Sequence, residues 1–379
     1  MQGTKLRFGS FSDRWTSTTI GQILTIKHGK DYKHLPEGDI PVLGTGGKIS
    51  GVTEALCNWP CVLIGRKGTI NKPQYMDVPF WSVDTLFYSK AKDGQSPKFQ
   101  YYLFQTIDWL KYNEASGVPS LSAATIENIT VNVPSLDEQQ KIAAFFTALD
   151  EKTRLSQQKL TLVKNIKNGI LKKIFSQEVR FKNTGGSFFK PWKSYTVGEL
   201  AEVIGGGTPS TQNSDYWDGD IYWFTPAEIN SKYVHSSNRK ITVNGLNNSS
   251  AKLLPKGALL LTTRATLGAC SINNQDIPVC TNQGFQSLVC NDFVDNEFMY
   301  YVVTTNAFQK AMVQMASGST FLEISSKNLK SITVNLPSLE EQQQIATLLS
   351  SLDEKINCLK QRVEVLKTQK ASFMQQMFV

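Results

Sequence analysis

A chain of 379 residues, 40% hydrophobic and 19% charged, is longer than one ordinary domain and has the composition of a folded protein, not a disordered one. No apolar run approaches the roughly 20 residues of a membrane helix, and Met1-Gln2-Gly3-Thr4-Lys5 lacks the apolar core of a signal peptide, so a cytoplasmic protein with no membrane partner is expected. The net charge of +8 is uneven: residues 1–128 contribute +3 and residues 129–183 contribute +5, while residues 184–331 and 332–379 are each balanced, an excess that points to a polyanion partner.

The first globular stretch, residues 1–128, opens on Leu6-Arg7-Phe8, then Trp15 and Ile20-Gly21-Gln22. Cys61-Val62-Leu63-Ile64 reads as a strand, and Phe99 to Gln105 reads as a helix. Cys57 and Cys61 have the spacing of a ligand pair, but no second pair or nearby histidine completes a zinc site, so buried thiols are expected. Three loops join glycine to a cation and a small hydroxyl or aromatic residue: Gly29 to Lys33 with Lys30 and Lys33, Gly44 to Lys48, and Gly65 to Thr69 with Arg66, Lys67 and Thr69. Glycine permits close backbone approach, and amides and cations then meet phosphate. One such loop alone is more often an ordinary turn; several together point to nucleic acid.

A long helix follows. Ser135-Leu136-Asp137-Glu138, just after Pro134, matches a capping box in which Glu138 reaches back to the helix start. Ile142, Phe146, Leu149, Leu160, Val163, Ile170 and Ile174 form an apolar seam that Thr153, Ser156 and Lys167 interrupt.

The second globular stretch repeats the plan. Val179-Arg180-Phe181 precedes Trp192 and Val197-Gly198-Glu199-Leu200; Ala258 to Leu261 and Gln286 to Val289 read as strands, and Glu297 to Val302 reads as a helix. Cys270, Cys280 and Cys290 lie in apolar, strand-like text. Leu261-Thr262-Thr263-Arg264 echoes Leu63-Ile64-Gly65-Arg66, pairing Arg264 with Arg66. Thr208 and Ser210 in a glycine-led loop, Thr263 with Arg264, and Asn282 with Gln283 are the candidate contacts here; Asn and Gln can read adenine and Arg can read guanine.

The last helix has the same opening, Ser338-Leu339-Glu340-Glu341, and a seam from Ile345 to Met377 broken only at Lys370. ITVNVPSLDEQQKIAAFFTALDEK from Ile129 and ITVNLPSLEEQQQIATLLSSLDEK from Ile332 are two copies of one text. Each helix is about 60 Å long at 1.5 Å per residue, more than its own globular part can cover. Chain order then makes the two helices antiparallel partners, with one globular part at each end of a rod. Two independent domains whose helices drive homodimers are the alternative.

No catalytic constellation is visible. His28, His34 and His235 have no matched nucleophile, and no phosphate loop or metal site is present. Asp150-Glu151-Lys152 and Asp353-Glu354-Lys355 resemble the end of a nuclease motif, but both lie inside the heptad pattern and read as a solvated helix face. No catalytic residue, metal or cofactor is expected.

The paired PSL-[DE]-E-Q-Q-x-I-A and LDEK texts, the R-F…W openings, Gly65 to Thr69 with Phe80 to Thr85, and Gly206 to Ser210 with Thr281 to Gly284 resemble the specificity (S) subunit of type I restriction–modification enzymes, over the whole chain. The resemblance implies an α+β fold: target-recognition domains at 1–128 and 179–331, and conserved spacer helices at 129–178 and 332–379 forming an antiparallel coiled coil with pseudo-two-fold symmetry. It implies a non-enzymatic subunit whose domains each read half of a split site on double-stranded DNA. The helices would set the spacer and dock two methyltransferase subunits, with Ser135, Glu138, Gln139, Gln140, Ser338, Glu341, Gln342 and Gln343 as candidate capping and docking residues. Restriction (motor) subunits would join for cleavage, and S-adenosylmethionine, ATP and magnesium would belong to those partners. The rival readings are a single-chain nuclease or methyltransferase fragment, a homodimeric scaffold, and a DNA-binding protein outside restriction–modification.

Overall fold

The structure is a computed structural model that describes residues 6–264, 266–318 and 322–378; the N-terminal pentapeptide discussed above lies outside them. By contacts the chain divides into two compact units, Met1–Lys159 with Leu359–Val379, and Leu160–Cys358. Among the described residues, no helix is long and apolar enough to cross a membrane.

In the first unit, β1 (Thr16–Thr19) runs through the one-turn α1 (Ile20–Ile23) into β2 (Leu24–His28). A hairpin, β3 (Glu37–Gly44) and β4 (Gly47–Val52), turns on Gly47 at φ +110°, a conformation that favours glycine. Then come β5 (Cys61–Gly65), β6 (Gln74–Met76), β7 (Trp81–Ser82), β8 (Leu86–Ala91), α2 (Pro97–Thr106), α3 (Ala123–Asn128) and β9 (Thr130–Val133), which leads into α4 (Leu136–Phe175). The sheets are β2-β8-β5-β6, β4-β3-β7 and the pair β1-β9.

The second unit repeats the strand order. It holds β10 (Lys193–Thr196), α5 (Val197–Leu200), β11 (Ala201–Gly205), β12 (Trp217–Phe224), β13 (Arg239–Ile241), α6 (Val243–Asn247), β14 (Leu259–Leu261), β15 (Cys270–Ile272), β16 (Val279–Thr281) and β17 (Gln286–Cys290). These are followed by α7 (Asn296–Thr304), α8 (Asn306–Met315), α9 (Ser326–Ser331), β18 (Thr333–Leu336) and α10 (Leu339–Met377). Its sheets, β11-β17-β14-β15, β13-β12-β16 and β10-β18, match those of the first unit strand for strand. Even the parallel pairings correspond, β3 with β7 and β12 with β16.

The strands read from sequence fall on β5, β14 and β17, and the helices on α2 and α7. Continuous apolar text made β5 and β14 legible, and the reason is visible. Val62 and Ile64 enter one core while Cys61 and Leu63 enter another, and Leu259 and Leu261 part from Leu260 in the same way. A strand covered on both faces cannot alternate. Cys57 and Cys61 are buried with sulfurs 3.9 Å apart, beside Phe80 and Tyr88, as thiols of a core. Burial pushes the Cys280 thiol up to about 12.

The long helices begin inside their own units, which corrects the expectation that a globular part leaves its helix uncovered. Ile142, Ala143 and Phe146 of α4 share a core with Phe99, Tyr102 and Met377, and Ile345, Ala346 and Leu349 of α10 share one with Ile174, Phe298 and Tyr301. Within the first unit, the start of α4 runs antiparallel to the end of α10: Phe145 meets Phe373 at 5.3 Å, and Asp150 pairs with Lys370 at 2.7 Å. Within the second, Lys167 of α4 pairs with Asp353 of α10 at 2.5 Å. Lys167 and Lys370, the apparent breaks in the two seams, are thus partners of the aspartates in the repeated LDEK text. Each aspartate also accepts from a tyrosine of its unit, Tyr102 Oη to Asp150 at 2.9 Å and Tyr301 Oη to Asp353 at 2.7 Å. The solvated-face reading of Asp150 and Asp353 therefore gives way to a lysine–aspartate–tyrosine node in each unit. Thr153 and Ser156 are accommodated differently, each donating to a carbonyl one turn back, Leu149 and Lys152, at 2.8 Å.

The capping boxes also need correction. Gln139 N donates to Ser135 O and Gln342 N to Ser338 O, so the helices open at the expected serines. The glutamates do not reach back. Glu138 takes Nε and Nη2 of Arg7 at 2.7 and 2.6 Å, and Glu341 takes Arg180 at 3.3 and 2.9 Å. A forked, charge-assisted pair outcompetes one neutral amide. Gln139 and Gln342 are buried beside them. Gln139 accepts from Ser96 N and donates to Pro134 O, and Gln342 accepts from Asp295 N and donates to Pro337 O. Replacing Gln139 with leucine strands a buried amide, so Gln139→Leu is expected to lose about 1–3 kcal/mol in urea denaturation. A loss within experimental error would mean that water replaces the bond.

Candidate nucleic-acid interface

In the first unit the glycine-led loops converge at one edge of the sheets. After β2, Gly29 passes so close to the chain after β7 that a Cβ would lie 1.9 Å from Val83 O, and Lys30 N donates to Ser82 O at 2.7 Å. Lys30 is exposed, as are Lys33 in the following loop and Lys48 on β4. After β5, Arg66 N donates to Thr85 O at 2.8 Å, and its guanidinium reaches Asp84 O at 3.3 Å. Lys67 bridges to Ser120, Gly68 adopts φ +89°, and Thr69 is half-buried. His28, Arg66, Lys67, Phe87 and Glu114 line a cavity of about 290 Å³. Among the described residues, none of Lys30, Lys33, Lys48, Arg66 and Lys67 is in an ion pair.

The second unit builds the same edge. Gly206 lies where a Cβ would be 2.0 Å from Asn282 O, and Gly207 N donates to Thr281 O at 2.8 Å. Two motifs about 75 residues apart therefore meet, and Thr208 Oγ1 donates to Gln283 at 2.5 Å. Thr208, Ser210 and Gln283 are exposed, and Asn282 is half-buried, its side-chain oxygen accepting from Gly284 N at 2.9 Å. Thr263 is buried, with N donating to Gly284 O at 2.8 Å. Arg264 is half-exposed and donates Nε and Nη2 to Glu323 at 2.9 and 2.5 Å.

Backbone register moves one sequence equivalence by a residue. Gly65 pairs with Leu86, and Thr262 with Phe285. Arg66 N bonds Thr85 O and Arg66 O accepts from Leu121 N; Thr263 N bonds Gly284 O and Thr263 O accepts from Ile324 N. Arg66 therefore corresponds to buried Thr263, and the counterpart of Arg264 is Lys67. The shared arginine had drawn the sequence match off by one. By the same register Lys30 corresponds to Gly207, Asp84 to Gln283 and Ser120 to Glu323.

Of the helix candidates, Ser135, Gln140, Ser338 and Gln343 are exposed, whereas Glu138, Gln139, Glu341 and Gln342 are buried in contacts within their own units. The buried four are thus helix-anchoring residues with no surface to offer a partner, and the exposed four remain as candidates for docking. The partners of Arg7, Arg180, Tyr102, Tyr301 and Glu323 are not legible in the sequence, because they lie 48 to 161 residues away along the chain.

The family model described as "Type I restriction modification DNA specificity domain" matches residues 12–165 and again 190–368. The chain belongs to this family. A type I restriction enzyme MjaIX specificity subunit of Methanocaldococcus jannaschii is 39% identical over 197 residues, 51% of this chain and 45% of that protein. The EcoR124I/EcoR124II specificity subunit of Escherichia coli is 26% identical over 171 residues, 44% of this chain and 42% of that protein. The matched stretches thus span less than half of both relatives. The crystal structure of a type I restriction–modification S subunit from M. genitalium has the same fold, with a TM-score of 0.69 at 15% identity over 100% of this chain and 99% of that one. For a member of the specificity-subunit family, the unpaired cations of the first unit are the natural place to test phosphate contact. Lys67→Ala is expected to weaken binding uniformly across DNA sequences and to lower the salt slope by about 1. A slope equal to that of the unaltered chain would assign Lys67 a structural role.

Proposed function

We propose that the chain is the DNA-recognition subunit of a type I restriction–modification complex and is not itself an enzyme. Residues 1–128 and 179–331 are its two target-recognition domains, each reading one half of a bipartite site in double-stranded DNA. Residues 129–178 and 332–379 are the spacer helices, which fix the separation of the half-sites and dock two methyltransferase subunits. Restriction subunits join for cleavage, and S-adenosylmethionine, ATP and magnesium act in those partners.

One observation carries this reading. The two units hold the same backbone hydrogen bonds around the same loops yet present different chemistry there: Lys30 against Gly207, Lys67 against Arg264, Asp84 against Gln283. A repeated frame with exchanged side chains suits two different readings of one kind of ligand. Lys30, Lys33, Lys48, Arg66, Lys67 and Thr69 serve the first half-site, and Thr208, Ser210, Arg264, Asn282 and Gln283 the second; Thr263, buried with its N–H and C=O both bonded within the unit, supports Arg264 without meeting DNA.

The test is reconstitution. The purified chain alone is expected to transfer no methyl group to DNA. Combined with type I methyltransferase subunits from the same host, it is expected to direct methylation to one split sequence. Methyl transfer by the chain alone would support an enzyme instead, and a stable homodimer that binds neither DNA nor methyltransferase would support the scaffold.

A further inference from the structure

We infer that Glu323 sets how the second unit meets DNA, by neutralising Arg264 and so suppressing sequence-independent phosphate binding there. The inference rests on the recognition role proposed above.

The two units differ in charge at matched backbone positions. In the first, Lys67 lies opposite Ser120, and Glu114, which lines the same cavity, is occupied elsewhere, accepting from Ser122 N and from the Thr125 hydroxyl. Arg66, Lys67 and His28 therefore face one cavity with no carboxylate paired to any of them among the described residues. In the second unit the acid has moved across. Glu323 occupies the position of Ser120, and Ser317 that of Glu114. Both donors of Arg264 that bond Glu323 go to one carboxylate oxygen. Around it the positions of His28, Lys30 and Arg66 are taken by Gly205, Gly207 and Thr263, none of which carries charge.

A phosphate approaching this edge must displace Glu323 from Arg264 or sit beside its negative charge. Either reduces the counterion release that drives binding to any sequence. The uncharged groups alongside, Thr208, Asn282 and Gln283, keep their hydrogen-bonding capacity. Discrimination rises when the wrong contact is weakened as much as when the right one is strengthened. An exposed pair of this kind is weak, so DNA can compete with it and the carboxylate tunes binding without abolishing it.

The experiment measures binding of the full chain to a random-sequence duplex over a range of salt, beside a duplex carrying the site that the reconstituted complex methylates. Glu323→Gln keeps the size of the side chain and removes its charge. It is expected to tighten binding to the random duplex roughly fivefold at low salt, to steepen the salt slope by about 1, and to narrow the preference for the specific duplex. In an Arg264→Ala background the same substitution is expected to have a smaller effect, because the freed guanidinium is absent. Unchanged or weaker binding by Glu323→Gln, or an equal steepening without Arg264, overturns the inference. If the unaltered chain shows no salt-dependent binding to either duplex, the recognition role falls with it.

Discussion

Arg7→Ala is expected to destabilise the first unit by about 3 kcal/mol, and Arg180→Ala the second by a similar amount. Glu138 and Glu341 are 1% and 0% exposed, while their arginines are 20% and 18% exposed. Removing either arginine leaves a buried carboxylate without its partner, and the penalty is that stranded charge more than the lost bond. The helix start beside the carboxylate softens the loss somewhat, since it favours negative charge. Paired replacement discriminates this cause from lost packing. Arg7→Met with Glu138→Leu removes the charge from both sides, so it is expected to recover much of the stability that Arg7→Ala loses. Chemical denaturation of the full chain, followed by probes in each unit, reads both effects. A loss near zero for Arg7→Ala would show that solvent screens the pair. Equal losses for the single and double variants would assign the effect to packing.

The helices were legible because apolar spacing at three and four residues is a local signal, and the repeat because the same text occurs twice. What the helices grip was not. Heptad spacing counts apolar residues, so Lys167 and Lys370 looked like defects. Their partners Asp353 and Asp150 lie on the other helix and become visible only when the chain has folded. The capping-box pattern at Ser135 to Glu138 was sound local chemistry, overridden by an arginine 131 residues upstream. Strands buried on both faces, such as β5, announced themselves by composition. The loops around them did not reveal which residues correspond, because a shared arginine is a weaker guide than strand register. Arg66 matched Arg264 by letter, yet Lys67 stands in its place. At the candidate interface, Gly29 and Gly206 each lie where any side chain would collide with the chain's own neighbouring backbone, so the close approach that these glycines permit is to the protein itself. The charge state of the edge was hidden, because Glu323 is distant in sequence from Arg264 and fits no motif.

The second large effect is a change of DNA target. Each unit has its own sheets and its own cores, and the positions that face the loops differ between them, so each is expected to read independently. Replacing residues 1–128 with the corresponding segment of another family member is expected to redirect one half of the site completely. The most direct measurement is methylome sequencing of a host carrying the exchanged chain with its methyltransferase subunits, compared with the original. The account predicts a methylated sequence in which one half-site is new, the other is unchanged and the spacer keeps its length. A sequence in which both half-sites change together, or in which neither does while methylation persists, would contradict it.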